Sequence, residues 1–210
     1  METIALLERK DALKAGSKLF SHIAVKDNGG APCVEDGLLT FNICKHEIRN
    51  SARIGDWLLC IAGVNLQKKG PNRQILWIAK ITDIRLMTYY AKHYPTRPDS
   101  IYTPDLKLKS DNLFHDVEGN DLAGKNTLFS DHFIYFGTKS IDVPSDMTGI
   151  IPGRAYQYKP NEQFKVKLFD KFNEEKKKGM GKRGKHPSAS PAPSRCGTAK
   201  PTNKSSRTSC

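Results

Sequence analysis

The chain has few of the features that would announce its chemistry. Its five cysteines (Cys33, Cys44, Cys60, Cys196 and Cys210) are odd in number and widely spaced, and none belongs to a Cys-x-x-Cys pair. A disulfide framework and a zinc site are therefore not expected. No stretch approaches the ~20 apolar residues of a membrane span. The first apolar segment, "TIALLERKDALKA", carries Glu and Arg through its middle, unlike a secretory leader. These absences lead us to expect an intracellular, soluble protein with reduced thiols and no membrane partner. Also missing are a nucleophile elbow, a phosphate-cradling Gly-rich loop, a dinucleotide fingerprint and a His-Glu-x-x-His helix, and no internal repeat is visible. No cofactor, metal or catalytic residue is expected.

Apolar residues are scarce too, at 38% of 210 residues, and the deficit is concentrated at one end. Residues 171–210 hold 11 Lys and Arg against two Glu, which leaves 23 basic against 20 acidic residues in 1–170. The net charge of +12 is thus mostly a C-terminal property. Such a composition buries too little surface to offset chain entropy, so residues 173–210 read as a disordered basic tail. The tail suits nonspecific, salt-sensitive contact with DNA or RNA, and "KKKGMGKRGK" suits an import address. Its removal from residue 175 onward is expected to leave the fold nearly unchanged.

The remainder suits one domain, since compact units run to roughly 100–150 residues. Residues 1–17 read as an accessory helix with apolar spacing at Ile4, Leu7 and Leu13, 18–144 as the domain, and 145–172 as a trailing segment. Within the domain, "KLFSHIAVK", "GLLTFNI", "DWLLCIAGV", "QILWIAKITDIRLM" and "LFSDHFIYFG" read as strands, and "NLQKKGPNR" as an exposed hairpin loop. "TYYAKHYPTRP" reads as a short helix stopped by Pro95, and residues 99–126 as an irregular polar insertion. Short strands with single helices imply an α+β fold around a compact, curved or barrel-like mixed sheet.

Three groups of residues carry candidate chemistry. In "CKHEIRNSARIGDW" a helix over 45–53 places Lys45, Arg49 and Arg53 on one face, and Ile48 and Ala52 on another. The stripe suits an anion, and equally a solvated face. In "DNGGAP", Asp27 and the amides freed by Gly29 suit close approach to a phosphate or base edge, or an ordinary turn. Tyr102, Asp111, Asn112 and Phe114 combine aromatic rings with an amide and a carboxylate, a set that can stack on and hydrogen-bond a nucleobase. The pairs His115–Asp116 and His132–Asp131 are adjacent in sequence and do not face each other on a regular element, so satisfied or exposed histidines are expected.

Taken in order, these segments resemble the type-two nucleotide modification associated domain over roughly residues 18–144. The resemblance rests on Cys44-Lys45-x-x-Ile48-Arg49-x-x-Ala52-x-x-Gly55-Asp56-Trp57, with Asp27-x-Gly29-x-Ala31-Pro32 and Phe133-x-Tyr135-Phe136-Gly137 in the expected order. It implies a small domain associated with systems that make or handle modified DNA bases or nucleotides. By analogy it also implies a sheet similar to the PUA and EVE barrels. "CVEDG" after Ala31-Pro32, and Leu113-Phe114 after Asp111-Asn112, depart from the family pattern and imply an altered pocket.

The resulting expectation is a noncatalytic module in which Asp27, Asn112 and Tyr102 or Phe114 read a base while Lys45 and Arg49 hold phosphate. The alternatives are an enzyme with Asp27 or Asp111 as general acid/base, and a protein-interaction domain with a targeting tail. A surface-facing Arg49 would be replaceable by Ala within about 1 kcal/mol. Asp56 and Trp57 are expected to be structural, Asp56 accepting turn amides and Trp57 filling core.

Overall fold

A computed structural model describes residues 17–67, 72–112, 114, 120–153, 156–159 and 162–188. The expected accessory helix, except for its last residue, and the tail beyond 188 lie outside these residues.

The apolar runs become strands buried on both faces. β1 (Leu19–Ala24) pairs in parallel with β4 (Trp57–Ala62), and β4 pairs antiparallel with β5 (Gln74–Lys80). All six residues of β4 are buried, which is why its sequence runs apolar without alternation. Two-residue periodicity then sorts those side chains between two cores. Leu58, Cys60 and Ala62 face one core with Phe20 and Trp77, whereas Trp57, Leu59 and Ile61 face the other with Ile75 and Ile78.

The first core is closed by a second sheet built from β2 (Cys33–Glu35), β3 (Leu38–Phe41), β6 (Asp83–Leu86) and β7 (Asn126–Ser130), in the order β2-β3-β7-β6. Val34, Leu39, Phe41 and Leu128 reach across to the first sheet. The opposite core is covered by a 3-10 segment at Ser145–Ile150 and by the C-terminal helix, through Met147, Ile150, Leu168, Phe169 and Phe172. Trp57 is core, as expected, with its ring edge-on to Phe169 and Phe172. The chain is thus α+β in three layers.

The expectation of one curved or barrel-like sheet needs correcting: the strands form two separate sheets, because two segments that read as single strands each change sheet. In "QILWIAKITDIRLM" the chain leaves β5 at Ile81 and enters β6 at Asp83. In "LFSDHFIYFG" it leaves β7 at Ser130 and enters β8 (His132–Tyr135), which rejoins the first sheet beside β5. The crossings are tied together, since Ser130 Oγ donates to the Lys80 carbonyl at 2.6 Å and Thr82 N donates to the Phe129 carbonyl at 2.9 Å. Strands that switch sheets this way are how packed sheets turn corners.

The remaining strands complete the first sheet. β9 (Ile141–Asp142) pairs with β5, β10 (Tyr156–Lys159) pairs antiparallel with β1, and β11 (Gly181–Lys182) pairs in parallel with β8. The helices are α1 (His46–Ser51), α2 (Met87–His93) and α3 (Glu162–Lys176). None of the described helices is long and apolar enough to cross a membrane.

The C-terminal boundary also needs correcting. The 15-residue α3 begins in the trailing segment and runs across the expected boundary to Lys176, and residues 173–188 continue into the fold, not into a tail. Phe172 is fully buried, Glu175 is buried, and Arg183 holds the Glu175 carboxylate at 2.8 Å. Composition missed this because the segment is anchored by backbone pairing and ion pairs, which need no apolar residues.

Candidate functional site

The C-terminal end of β1, the 26–31 loop, the end of β3 and the entry to α1 surround a pocket of about 550 Å³, counted out to its open mouth. His22, Phe41, Ile43, Lys45, Asn28 and Phe114 supply its chemically informative walls.

His22 is buried between the rings of Phe41 and Trp77, at centroid separations of 5.5 and 5.2 Å. Burial, reinforced by the nearby Lys45 cation, lowers its pKa from 6.5 to about 3, so the imidazole is neutral. Its Nδ1 has no hydrogen-bond partner. This shift has a consequence for stability. Below pH 6.5 the unfolded chain takes up a proton that native His22 refuses until about pH 3, so stability falls with falling pH across that window. The His22 contribution should approach about 1.4 kcal/mol per pH unit. Urea unfolding from pH 7 to 4 should show this slope in wild type and lose it in His22→Phe. Parallel curves would mean that native His22 is charged.

Lys45 reaches the pocket through an unusual corner. Cys44 and Lys45 are consecutive non-glycine residues with φ of 60° and 41°, a left-handed conformation that costs on the order of 1 kcal/mol or more per residue and needs support. The support is explicit. The Cys44 amide donates to Asp121 Oδ1 at 2.6 Å, and Arg49 Nε donates to the Cys44 carbonyl at 2.8 Å.

Arg49 therefore supports this corner from behind, which corrects the expectation of a surface-facing cation. It is 0% exposed. Its Nη1 donates to the carbonyls of Asn126 and Gly124 at 3.0 and 3.2 Å and to Met87 Sδ at 3.1 Å, and its Nη2 donates to the Asp121 carbonyl. Burial pulls its pKa down, and the neighbouring Asp121 opposes the shift. The i, i+8 stripe fails because α1 is only six residues long: Ala52 is already extended at ψ 152°, so Arg53 lies beyond the helix and is exposed.

Tyr102 is corrected likewise. It is buried, its hydroxyl lies 3.5 Å from Asp121 Oδ2, and its ring packs with Ile43, Met87 and Ile101, so no base can stack on it. Asp111 is exposed on a turn and does not line the pocket. Asn112 builds that turn, with Nδ2 donating to the Lys109 carbonyl at 2.8 Å and Oδ1 accepting from the Phe114 amide at 3.2 Å. Its part is to hold Phe114, which does line the pocket. Phe114 lies close against Gly30, where an added Cβ would overlap its ring.

Asp27 sits behind the pocket wall in a buried cluster that sequence reasoning missed. Tyr135 donates its hydroxyl to Asp27 Oδ2 at 2.7 Å, and His186 Nδ1 lies 2.7 Å from both Asp27 Oδ1 and the Tyr135 oxygen. Burial, then the Asp27 charge, pushes the Tyr135 hydroxyl pKa well up. Gly29, beside the His186 ring, adopts φ 96°, a left-handed conformation that favours glycine. Both carboxylate oxygens of Asp27 are thus occupied, and its side chain locks the loop that carries Asn28. His186 stood within the supposed tail; the Tyr135-x-Gly137 motif, whose glycine lets the Lys185 backbone pass, was the available signal.

Of the other histidines, His132 stacks on Phe172 at 4.9 Å, and His115 lies outside the described residues. Asp56 caps its turn as expected, accepting from the Lys18 and Arg53 amides at 2.6 and 2.8 Å. Among the described residues no group of three or more His, Cys, Asp or Glu side chains is placed to hold a metal.

The nucleotide modification associated domain 2 profile matches residues 16–119 and 109–191. Its reach to 191 takes in α3, β11 and His186, consistent with the corrected boundary. No curated protein and no solved structure matches the chain at a significant level. With most of its length matched, from the strand before the Asp27 loop to the His186 segment that locks it, the chain belongs to the nucleotide modification associated domain 2 family, whose description ties it to nucleotide modification.

Proposed function

We propose that the protein is a noncatalytic module that binds a nucleotide or modified base in the pocket between the 26–31 loop, Lys45 and Phe114. The observation that carries this reading is the wall composition: two phenyl rings, a neutral imidazole, an amide and two lysines, Lys26 and Lys45, around one pocket. Aromatic faces suit a planar heterocycle, and a lysine suits its phosphate. Binding is favoured over acid/base catalysis because Asp27 is occupied by Tyr135 and His186, and Asp111 lies away from the pocket. The basic stretch 176–185 adds a positive flank that would strengthen contact with a nucleic acid in a salt-sensitive way.

Calorimetric titration with the four deoxynucleoside 5′-monophosphates, their 5-methyl and 5-hydroxymethyl pyrimidine forms, and the matching nucleosides tests the reading. Wild type should retain at least one monophosphate without converting it. Lys45→Gln should weaken that binding about tenfold and leave nucleoside binding nearly unchanged, since one charge-assisted contact is removed. Turnover of any compound would replace the binding reading with an enzymatic one.

A further inference from the structure

The floor of the pocket narrows the ligand class. Buried polar atoms in folded proteins are paired with few exceptions. His22 Nδ1 is such an exception, and it belongs to a residue that both lines the pocket and is almost wholly buried. Its neighbours Phe41 and Trp77 are aromatic, so a phenyl ring at this position would meet the packing requirement without leaving a nitrogen unpartnered. A floor shaped only for a hydrocarbon ligand has no use for that nitrogen.

Building on the proposed binding of a nucleotide in this pocket, we infer that His22 is its specificity-determining residue. Its imidazole Nδ1 hydrogen-bonds the polar edge of an uncharged nucleobase inserted ring-first between Phe114 and the floor. The remaining chemistry fits this orientation. The ring is neutral, so it has no net charge to offer a phosphate, whereas Lys45 does and lies on the wall of the same pocket. Phe114 is set by Gly30 behind it and by Asn112 Oδ1 on its amide, which holds a flat apolar face beside the entry. The head group is therefore planar, uncharged and hydrogen-bonding, and the anionic end stays outward. A purely apolar ligand satisfies the rings but not the imidazole, and inorganic phosphate satisfies Lys45 but not the floor.

The test uses the full chain, with His22→Phe, His22→Asn and Lys45→Gln, titrated against the same monophosphates and nucleosides. His22→Phe should bind the preferred monophosphate and its nucleoside about tenfold more weakly, both by the same factor, because the lost contact is to the base. Its melting temperature should not fall. His22→Asn, whose amide places a polar atom near the Nδ1 position, should recover part of the loss. With ¹⁵N-histidine labelling, the His22 Nδ1 resonance should move when the monophosphate saturates the protein. Wild-type affinity retained in His22→Phe, or an unmoved Nδ1 resonance at saturation, would overturn the assignment while leaving the binding reading intact. A wild-type chain that binds none of the compounds would overturn both. If His22→Phe fails to fold, the resonance decides alone.

Discussion

Arg49→Ala should destabilise the protein by about 3–5 kcal/mol in urea unfolding, because it removes a fully buried cation and takes a donor from each of four carbonyls. The carbonyls of Cys44, Asp121, Gly124 and Asn126 all accept from this one guanidinium. Each orphaned buried acceptor costs on the order of 1–3 kcal/mol, and water entering the vacated space recovers part of the sum. Arg49→Lys should rescue little, since a single ammonium cannot reproduce a planar fork that reaches acceptors on two sides. Gly124 reinforces the point: an added Cβ there would overlap the guanidinium, so the backbone approaches it as closely as glycine allows. A loss below about 1 kcal/mol would place the side chain at the surface, as the helical stripe implied.

The consequence for binding follows from the corner at Cys44 and Lys45. Two left-handed non-glycine residues in succession persist only where neighbours enforce them. Arg49 and Asp121 are those neighbours. Residual folded Arg49→Ala should therefore bind less tightly as well, through Lys45, although Arg49 itself is fully buried. Arg53→Ala, at an exposed position outside the helix, should change neither property. Lys45 and Arg49 thus divide the labour, Lys45 in the wall and Arg49 behind it.

How far the sequence revealed this arrangement depended on the kind of interaction. β4 and β5 were legible because both are continuous apolar runs, and burial on two faces produces that pattern. The sheet switches at Ile81–Thr82 and Asp131 were not legible, since a crossing strand keeps its apolar composition while its hydrogen-bond partners change. Along the pocket wall, the 26–31 loop, Lys45 and Phe114 stood out in the sequence because turn glycines, a cation and an aromatic near an amide are local signals. The roles of Arg49 and Tyr102 were inverted, because charge and hydroxyl suggest exposure when partners far along the chain cannot be seen. Arg49 is bonded to residues 72–77 positions away. His22 gave no signal at all: it stands in an apolar strand, and only the structure shows that its nitrogen lacks a partner.

The same blindness to distant partners hid the C-terminal anchor, and it makes the second large effect. A chain ending after Glu174 should lose about 3 kcal/mol or more, whereas one ending after Ser188 should keep every described contact and melt within a few degrees of wild type. The shorter chain loses the ion pairs of Glu175 with Arg183, Lys178 and Lys171, at 2.8, 2.9 and 3.5 Å. It also lacks the pairing of β11 with β8 and the Lys182 Nζ donation to the Val34 carbonyl at 3.2 Å. Asp27 would suffer most. It would lose His186 from Oδ1, and the reciprocal backbone and hydroxyl contacts with Ser188 at 2.8 and 3.1 Å, and would keep only Tyr135 in a buried setting. A buried carboxylate stripped of partners is among the costliest single defects in a fold. The loop that Asp27 locks also supplies Asn28 to the pocket, so the shorter chain should lose nucleotide affinity along with stability. His186→Ala in the full chain isolates this link, since it leaves β11 and the Glu175 cluster in place while freeing one oxygen of Asp27. It should lower stability by less than the truncation and still weaken binding. Identical melting of the two truncated chains would return residues 175–188 to the status of a tail and remove the basis for a loop locked from the C-terminal side.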